Sequence, residues 1–202
     1  MARIELKEGN RQKALILDGS RSGEEDLQPL RGVLCDALRK VGWEVEVIEA
    51  RSLKIARCTG CFGCWVKTPG LCVIPDDAQD IARRVIQCDL LIDLTPVRFG
   101  GYSAELKRVL DRGIGLVLPY FTTIGGETHH PKRYPRYPKQ LTIGLMAQPD
   151  KESERLFRAL CQRNAINLYS PAHMEAVLAS GLPAVAMQQA VSALLGKVGV
   201  PA

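Results

Sequence analysis

No stretch of this 202-residue chain stays apolar long enough to cross a bilayer, because charges interrupt every hydrophobic run. The opening residues, MARIELKEGNRQK, hold no apolar export core, so a cytoplasmic protein with reduced thiols is expected. Seven cysteines, an odd number, agree with that. Several chemical engines are missing too. There is no G-x-G-x-x-G, so a separate dinucleotide domain has no support. Neither a G-x-x-x-x-G-K-[ST] phosphate loop nor a G-x-S-x-G nucleophile elbow occurs. The adjacent His129 and His130 cannot supply the i, i+4 pair of a helical metal site, and are expected near a ligand, at a subunit contact or in solvent. Internal repeats and low-complexity linkers are absent. With 46% hydrophobic residues the chain can bury one good core, so a single domain over residues 1–202 is expected. Its net charge of +5 favours anionic ligands without establishing a nucleic-acid partner.

What the chain does have is a dense group of thiols. The segment CTGCFGCWVKTPGLCVIPDD, residues 58–77, sets Cys58, Cys61, Cys64 and Cys72 in a C-x2-C-x2-C-x7-C run. A loop can wrap three thiols at three-residue steps around one centre. The Pro69-Gly70 turn then lets the chain double back and deliver the fourth. Ligands this closely spaced suit an iron–sulfur cluster, whereas structural zinc usually takes two knuckles joined by a long spacer. Empty or redox-active thiols, zinc and a disulfide stay open for the same residues. Cys35, Cys88 and Cys161 lie on apolar helical faces or just ahead of an apolar strand and read as small buried hydrophobes.

Strands and helices alternate along the chain. KALILDG (13–19) is a short apolar run with the look of a buried parallel strand, and Leu27, Leu30, Leu34, Leu38 and Val41 follow at helical spacing until Gly42. EVEVI (44–48) alternates as a second strand. Asp76 stands where it can cap a helix carrying Ile81, Val85 and Ile86. LLIDLT (90–95), LTIGLMA (141–147) and residues 172–178 supply three more strands. Helices are expected at 103–112, around Leu156, Phe157 and Leu160, and after Pro183. That order predicts an α/β fold with a doubly wound five-stranded parallel sheet, strand order 2-1-3-4-5, whose ligands bind at the carboxyl ends of the first and third strands. Residues 118–139 are the only long segment without a predicted element. Asp18 and Asp93, near strand ends, are expected to be buried with raised pKa or to reach solvent in the ligand crevice.

TPVRFGGYSAELKRVLDR, residues 95–112, carries the second signal. Pro96 stiffens the turn after the strand, Gly100-Gly101 bares backbone amides, and Ser103 can cap the next helix. The segment resembles the isoalloxazine-binding loop of flavodoxin-fold NAD(P)H-dependent FMN reductases. It matches their pattern at Pro96, Val97, Phe99, Gly100, Ser103, Leu106, Lys107, Asp111 and Arg112. The cysteine run followed by Asp76-Asp77 is similar to the iron–sulfur flavoproteins of that superfamily. So is the stretch around Gly126-Glu127, His129-His130, Arg133-Tyr134 and Pro138.

The resemblance implies a flavodoxin-like, homodimeric or homotetrameric FMN oxidoreductase. It would take electrons from NAD(P)H or a small carrier and pass them to a quinone-like, flavin or other small acceptor. Ser20, Arg21, Ser22 and Gly23 would hold the FMN phosphate. Pro96, Val97, Arg98, Phe99 and Gly100 would meet the ring, with Tyr102 and Ser103 close by. Relatives begin the phosphate loop with Ser-Pro-Arg; here Ser20-Arg21-Ser22-Gly23 runs into Glu24-Glu25-Asp26, acids that oppose a phosphate or complement a helix dipole. Relatives commonly carry an aromatic where this chain has Arg98. One alternative adds a 4Fe-4S cluster on Cys58, Cys61, Cys64 and Cys72 for electron transfer. Another is a non-enzymatic redox- or metal-responsive module. Tyr120, Phe121, Tyr134 and Tyr137 lead to the expectation that residues 118–139 pack against a second subunit. The basic group Lys132, Arg133, Arg136 and Lys139 reads as a charged loop broken by prolines, more than as a grip on phosphate.

Overall fold

The computed structural model describes residues 11–21 and 27–201. Its elements run β1 (Lys13–Asp18), α1 (Gln28–Lys40), β2 (Glu44–Glu49), α2 (Gly63–Val66), α3 (Ala78–Gln87), β3 (Leu90–Pro96), α4 (Ala104–Asp111), β4 (Thr122–Ile124), β5 (Glu127–His129), β6 (Lys139–Met146), α5 (Lys151–Asn167), β7 (His173–Ala179) and α6 (Ala184–Lys197). Short 3-10 turns at Ala50–Ser52 and Arg112–Leu116 follow β2 and α4.

Five parallel strands pair in the order β2-β1-β3-β6-β7. That is the expected doubly wound order, with β6 and β7 as the fourth and fifth strands. The difference lies between β3 and β6, where residues 118–139 are not wholly irregular. An antiparallel pair, β4 with β5, turns there on Gly125-Gly126. The chain steps outward in opposite directions from β1 and β3, so a crevice opens at their carboxyl ends.

Each sheet face has its own core. On one, α1 and α6 cover Ile16, Leu90, Ile92, Leu94, Leu141 and Ile143. The α1 stripe is Leu30, Leu34 and Leu38, the four-residue spacing that lays one helix face on a sheet. On the other, α3, α4 and α5 cover Leu15, Leu17 and Leu91 with Ile81, Leu106 and Phe157. This second face is not uniformly apolar. Asp93, Thr95, Gln140 and Thr142 are all buried there, at alternate positions of β3 and β6. Among the described residues no helix is long and apolar enough to cross a membrane.

The three isolated cysteines are buried as expected. Burial pushes the Cys88 and Cys161 thiols up to about 12, so neither is a nucleophile at neutral pH.

Candidate functional site

At the carboxyl edge, β1 ends on Asp18, whose carboxylate accepts from the Ser20 amide at 2.8 Å and pairs with Arg31 at 2.7 Å. The Gly19 amide donates to Leu94 O at 2.8 Å, tying the two loop bases together. A Cβ on Gly19 would stand 2.7 Å from both Leu106 Cβ and Ser103 Oγ, so only glycine fits without a shift. Arg21 reaches Glu105 at 3.7 Å. Ser22, Gly23 and the acids Glu24, Glu25 and Asp26 lie outside the described residues. The described first turn of α1 holds no acid, and Leu27 at its N-cap provides no side-chain acceptor.

The second loop is set by Thr95 and Ser103. The Ser103 amide donates to Thr95 Oγ1 at 2.8 Å, and Ser103 Oγ accepts from the Leu106 amide as the α4 cap. Arg98 and Gly101 exchange backbone hydrogen bonds around Phe99 and Gly100, both at positive φ. That tight turn leaves Phe99 fully exposed at its tip. A Cβ on Gly100 would come within 2.7 Å of Leu156 Cβ, which pins the turn on α5.

Two of the residues expected near the ring have buried side chains. Val97 is buried against Gly144, and Tyr102 turns inward, edge-on to Phe157, with its hydroxyl accepting from Asn164 Nδ2 at 3.0 Å. Asn164 and Cys161 of α5 hold that hydroxyl in the interior, and burial raises its pKa. The surface offered to a flat ring consists of backbone from Pro96 to Gly100 with Arg98 and Phe99.

The cysteine loop has a closed neck. Asp77 accepts from the Lys54 amide at 2.8 Å and Asp76 from the Ala56 amide at 2.9 Å. Asp76 also accepts from the Ala78 amide, the capping role read from the sequence. It pairs in two-point fashion with Arg112, which donates to Ala56 O and Ile74 O and reaches the Cys72 thiol. Beyond the neck, the Gly70 amide donates to Cys64 O at 2.9 Å, the doubling-back expected at Pro69-Gly70. Cys58, Cys61, Cys64 and Cys72 all line one cavity of about 630 Å³. Burial, then the neighbouring Cys72, Cys58 and Cys61, push the Cys64 thiol up, while hydrogen bonds from Gly63 and Thr59 hold Cys61 down. Among the described residues, no three His, Cys, Asp or Glu side chains converge tightly enough for a single metal ion. An all-thiol donor set fits an iron–sulfur cluster, which holds its ligands further apart than one ion does.

Residues 118–139 pack on the chain's own cysteine loop. Trp65 Nε1 donates to Ile114 O and Val117 O, and the His130 ring lies between Trp65 and Phe121. His129 is buried with Nδ1 paired to Asn167 Oδ1 at 2.8 Å. Tyr137 is buried, donating to Leu116 O, and Tyr134 packs beside it. Of the four aromatics expected at a subunit contact, only Tyr120 and Phe121 stay exposed, at 67% and 76%. Arg133 is spent on Gly115 O, Arg136 on Asp89, and Lys132 lies over the Tyr169 ring.

Residues 13–116 match the family of NADPH-dependent FMN reductases. The chain belongs to that family. An iron–sulfur flavoprotein of Methanocaldococcus jannaschii is 34% identical over 100 residues, 50% of this chain and 51% of its own length. One from Archaeoglobus fulgidus is 39% identical over 83 residues, 41% of this chain and 35% of its own length. The chain thus spans about half, or less, of the curated relatives it matches. A solved NAD(P)H:quinone oxidoreductase from Methanothermobacter marburgensis superposes with a TM-score of 0.66 at 12% identity, covering 90% of this chain and 95% of that one. An azoreductase from Bacillus anthracis gives 0.64 at 10% identity, covering 94% and 98%. These two likenesses concern the fold, which is flavodoxin-like.

Proposed function

We propose that the protein is an FMN-dependent oxidoreductase. It takes reducing equivalents from NAD(P)H or a small electron carrier and passes them to a small quinone-like, flavin or other acceptor. The observation that carries this reading is the meeting of two loops at the carboxyl ends of β1 and β3: the Gly19 amide bonds Leu94 O, and Gly19 packs directly against Ser103 and Leu106 of the second loop and its helix. In this reading Ser20 and Arg21 hold the phosphate, with Ser22 and Gly23 completing the loop. The backbone from Pro96 to Gly100 orients the ring, and Arg98 offers positive charge at its edge. Bound FMN supplies the hydride and single-electron chemistry; the chain supplies position, charge and exclusion of water. Tyr120 and Phe121 are the residues we assign to contact between copies in a homodimer or homotetramer.

The cysteine run supports an extension in which Cys58, Cys61, Cys64 and Cys72 hold a 4Fe-4S cluster and the protein relays electrons. Four thiols on one cavity beside the Arg112 guanidinium favour it, since the cation offsets thiolate charge. The test is titration of purified protein with FMN, followed by NADPH oxidation with a benzoquinone acceptor. Saturable FMN binding and quinone-dependent turnover are expected; absence of FMN binding sinks the proposal.

A further inference from the structure

Three charged residues line the cavity shared by Cys58, Cys61, Cys64 and Cys72: Lys107, Asp111 and Arg112. Lys107 and Asp111 are about half exposed and pair with each other one helical turn apart, so their charges cancel and water screens them. Arg112 is different, with a side chain only 2% exposed. Carbonyls on both flanks of the cysteines fix its guanidinium, Ala56 O at 2.9 Å before them and Ile74 O at 3.2 Å after them. It also reaches the Cys72 thiol. Its counter-ion, Asp76, is not among the residues that line the cavity. The ion pair is therefore oriented, with the cation toward the thiols and the carboxylate behind it.

A buried charge acts at close range with little screening. The potential of a thiolate-bound iron centre responds to local charge and to hydrogen bonds at its sulfurs. Each electron added there brings one negative charge and makes or breaks no protein bond. A fixed cation at the Cys72 sulfur favours that added charge, and a carboxylate behind the cation takes part of the gain back. We propose that the Arg112–Asp76 pair sets the reduction potential of the centre held by the four cysteines, Arg112 raising it through the Cys72 sulfur and Asp76 moderating it. The proposal rests on the cluster reading given above. The electron comes from the NAD(P)H or small carrier named there, and no proton accompanies it.

The test is an anaerobic redox titration of FMN-saturated, iron-reconstituted protein, followed by the electron paramagnetic resonance of the reduced iron. Arg112→Gln and Asp76→Asn break the same ion pair and loosen the same neck, so a purely structural role moves both potentials the same way or moves neither. At the wild-type midpoint, the ratio of reduced to oxidised centre should fall at least about tenfold in Arg112→Gln, about 59 mV for one electron. It should rise at least about threefold in Asp76→Asn, where the Arg112 charge is no longer offset. Any other pattern in iron-loaded variants overturns the proposal. Where one variant fails to load iron, the sign of the other's shift decides. Failure of both to load leaves the pair a structural role and overturns the proposal as well. Wild type that takes up no iron is a separate result, read before any titration, and removes the cluster reading together with what is built on it.

Discussion

Arg112 and Asp76 form a two-point ion pair, Nη1 to Oδ2 at 2.7 Å and Nη2 to Oδ1 at 2.9 Å, that locks the neck of the cysteine loop to the end of α4. Burial alone would raise the Asp76 carboxyl; Arg112 and the Ala56 and Ala78 amides overcome it and hold the group below its ordinary range. The stabilisation is therefore complete above the unfolded carboxylate pKa and is lost as pH falls through the lower folded value. Asp76→Asn strands the Arg112 charge and should cost about 3 kcal/mol at pH 7. Urea unfolding should find that deficit shrinking below about pH 4. A deficit that persists unchanged in acid argues against the ion pair as its source.

Asp93 has the opposite sign. Burial, only partly relieved by Gln140, pushes its carboxyl up to about 6. A raised acid contributes stability below its unfolded pKa and loses it as pH climbs to the folded one. Asp93→Asn should thus stabilise the protein by about 3 kcal/mol above pH 6 and change little near pH 4. Paired melts across that range check the slope, and a variant weaker than wild type at pH 7 contradicts it.

Gly19→Ala adds a methyl between Leu106 and Ser103, where both neighbours are 2.7 Å from the new carbon. The strain should cost roughly 1–3 kcal/mol of stability. FMN affinity should fall by more than tenfold, because both loops of the crevice are displaced. Fluorescence titration of FMN beside a thermal melt separates the two effects.

If the four cysteines hold a cluster, anaerobic reconstitution should load iron into wild type and Cys35→Ser. It should fail to load the Ser variants of Cys58, Cys61, Cys64 and Cys72. Iron and sulfide assays decide the matter. Equal iron in the five single variants would dismiss the quartet as ligands.

Light scattering tests the subunit contact given to Tyr120 and Phe121. A Tyr120→Ser, Phe121→Ser protein should dissociate at concentrations where wild type is assembled, with its melting temperature little changed below that transition. A monomeric wild type removes the contact altogether.

The sheet was readable because its strands are bounded apolar runs and because α1 repeats leucine every fourth residue. Two features were not. The β4–β5 pair has strands of three residues, too short for an alternating pattern, and only Gly125-Gly126 marked it. Tyr102 looked like a ring contact because it sits in the loop motif. Its direction is set by Asn164 and Cys161, some sixty residues away, which no local pattern reveals. Asp93 was noticed as a residue near a strand end, whereas it stands in the middle of β3. Gln140 was missed because the fourth strand was read as starting at Leu141, one residue beyond it.

The closed neck gives the cysteine segment the character of a cassette. Its two ends meet through Lys54 with Asp77 and Ala56 with Asp76, so the residues between them begin and finish at nearly the same place. Joining such ends with a short linker changes loop entropy only slightly, and the sheet carries no strand from within the segment. The excursion can thus be exchanged between family members, or shortened, while the flavin edge keeps its geometry. Its removal would also take Cys64 and Trp65 off the Arg112–Leu116 turn and open to water the cavity that the four cysteines line.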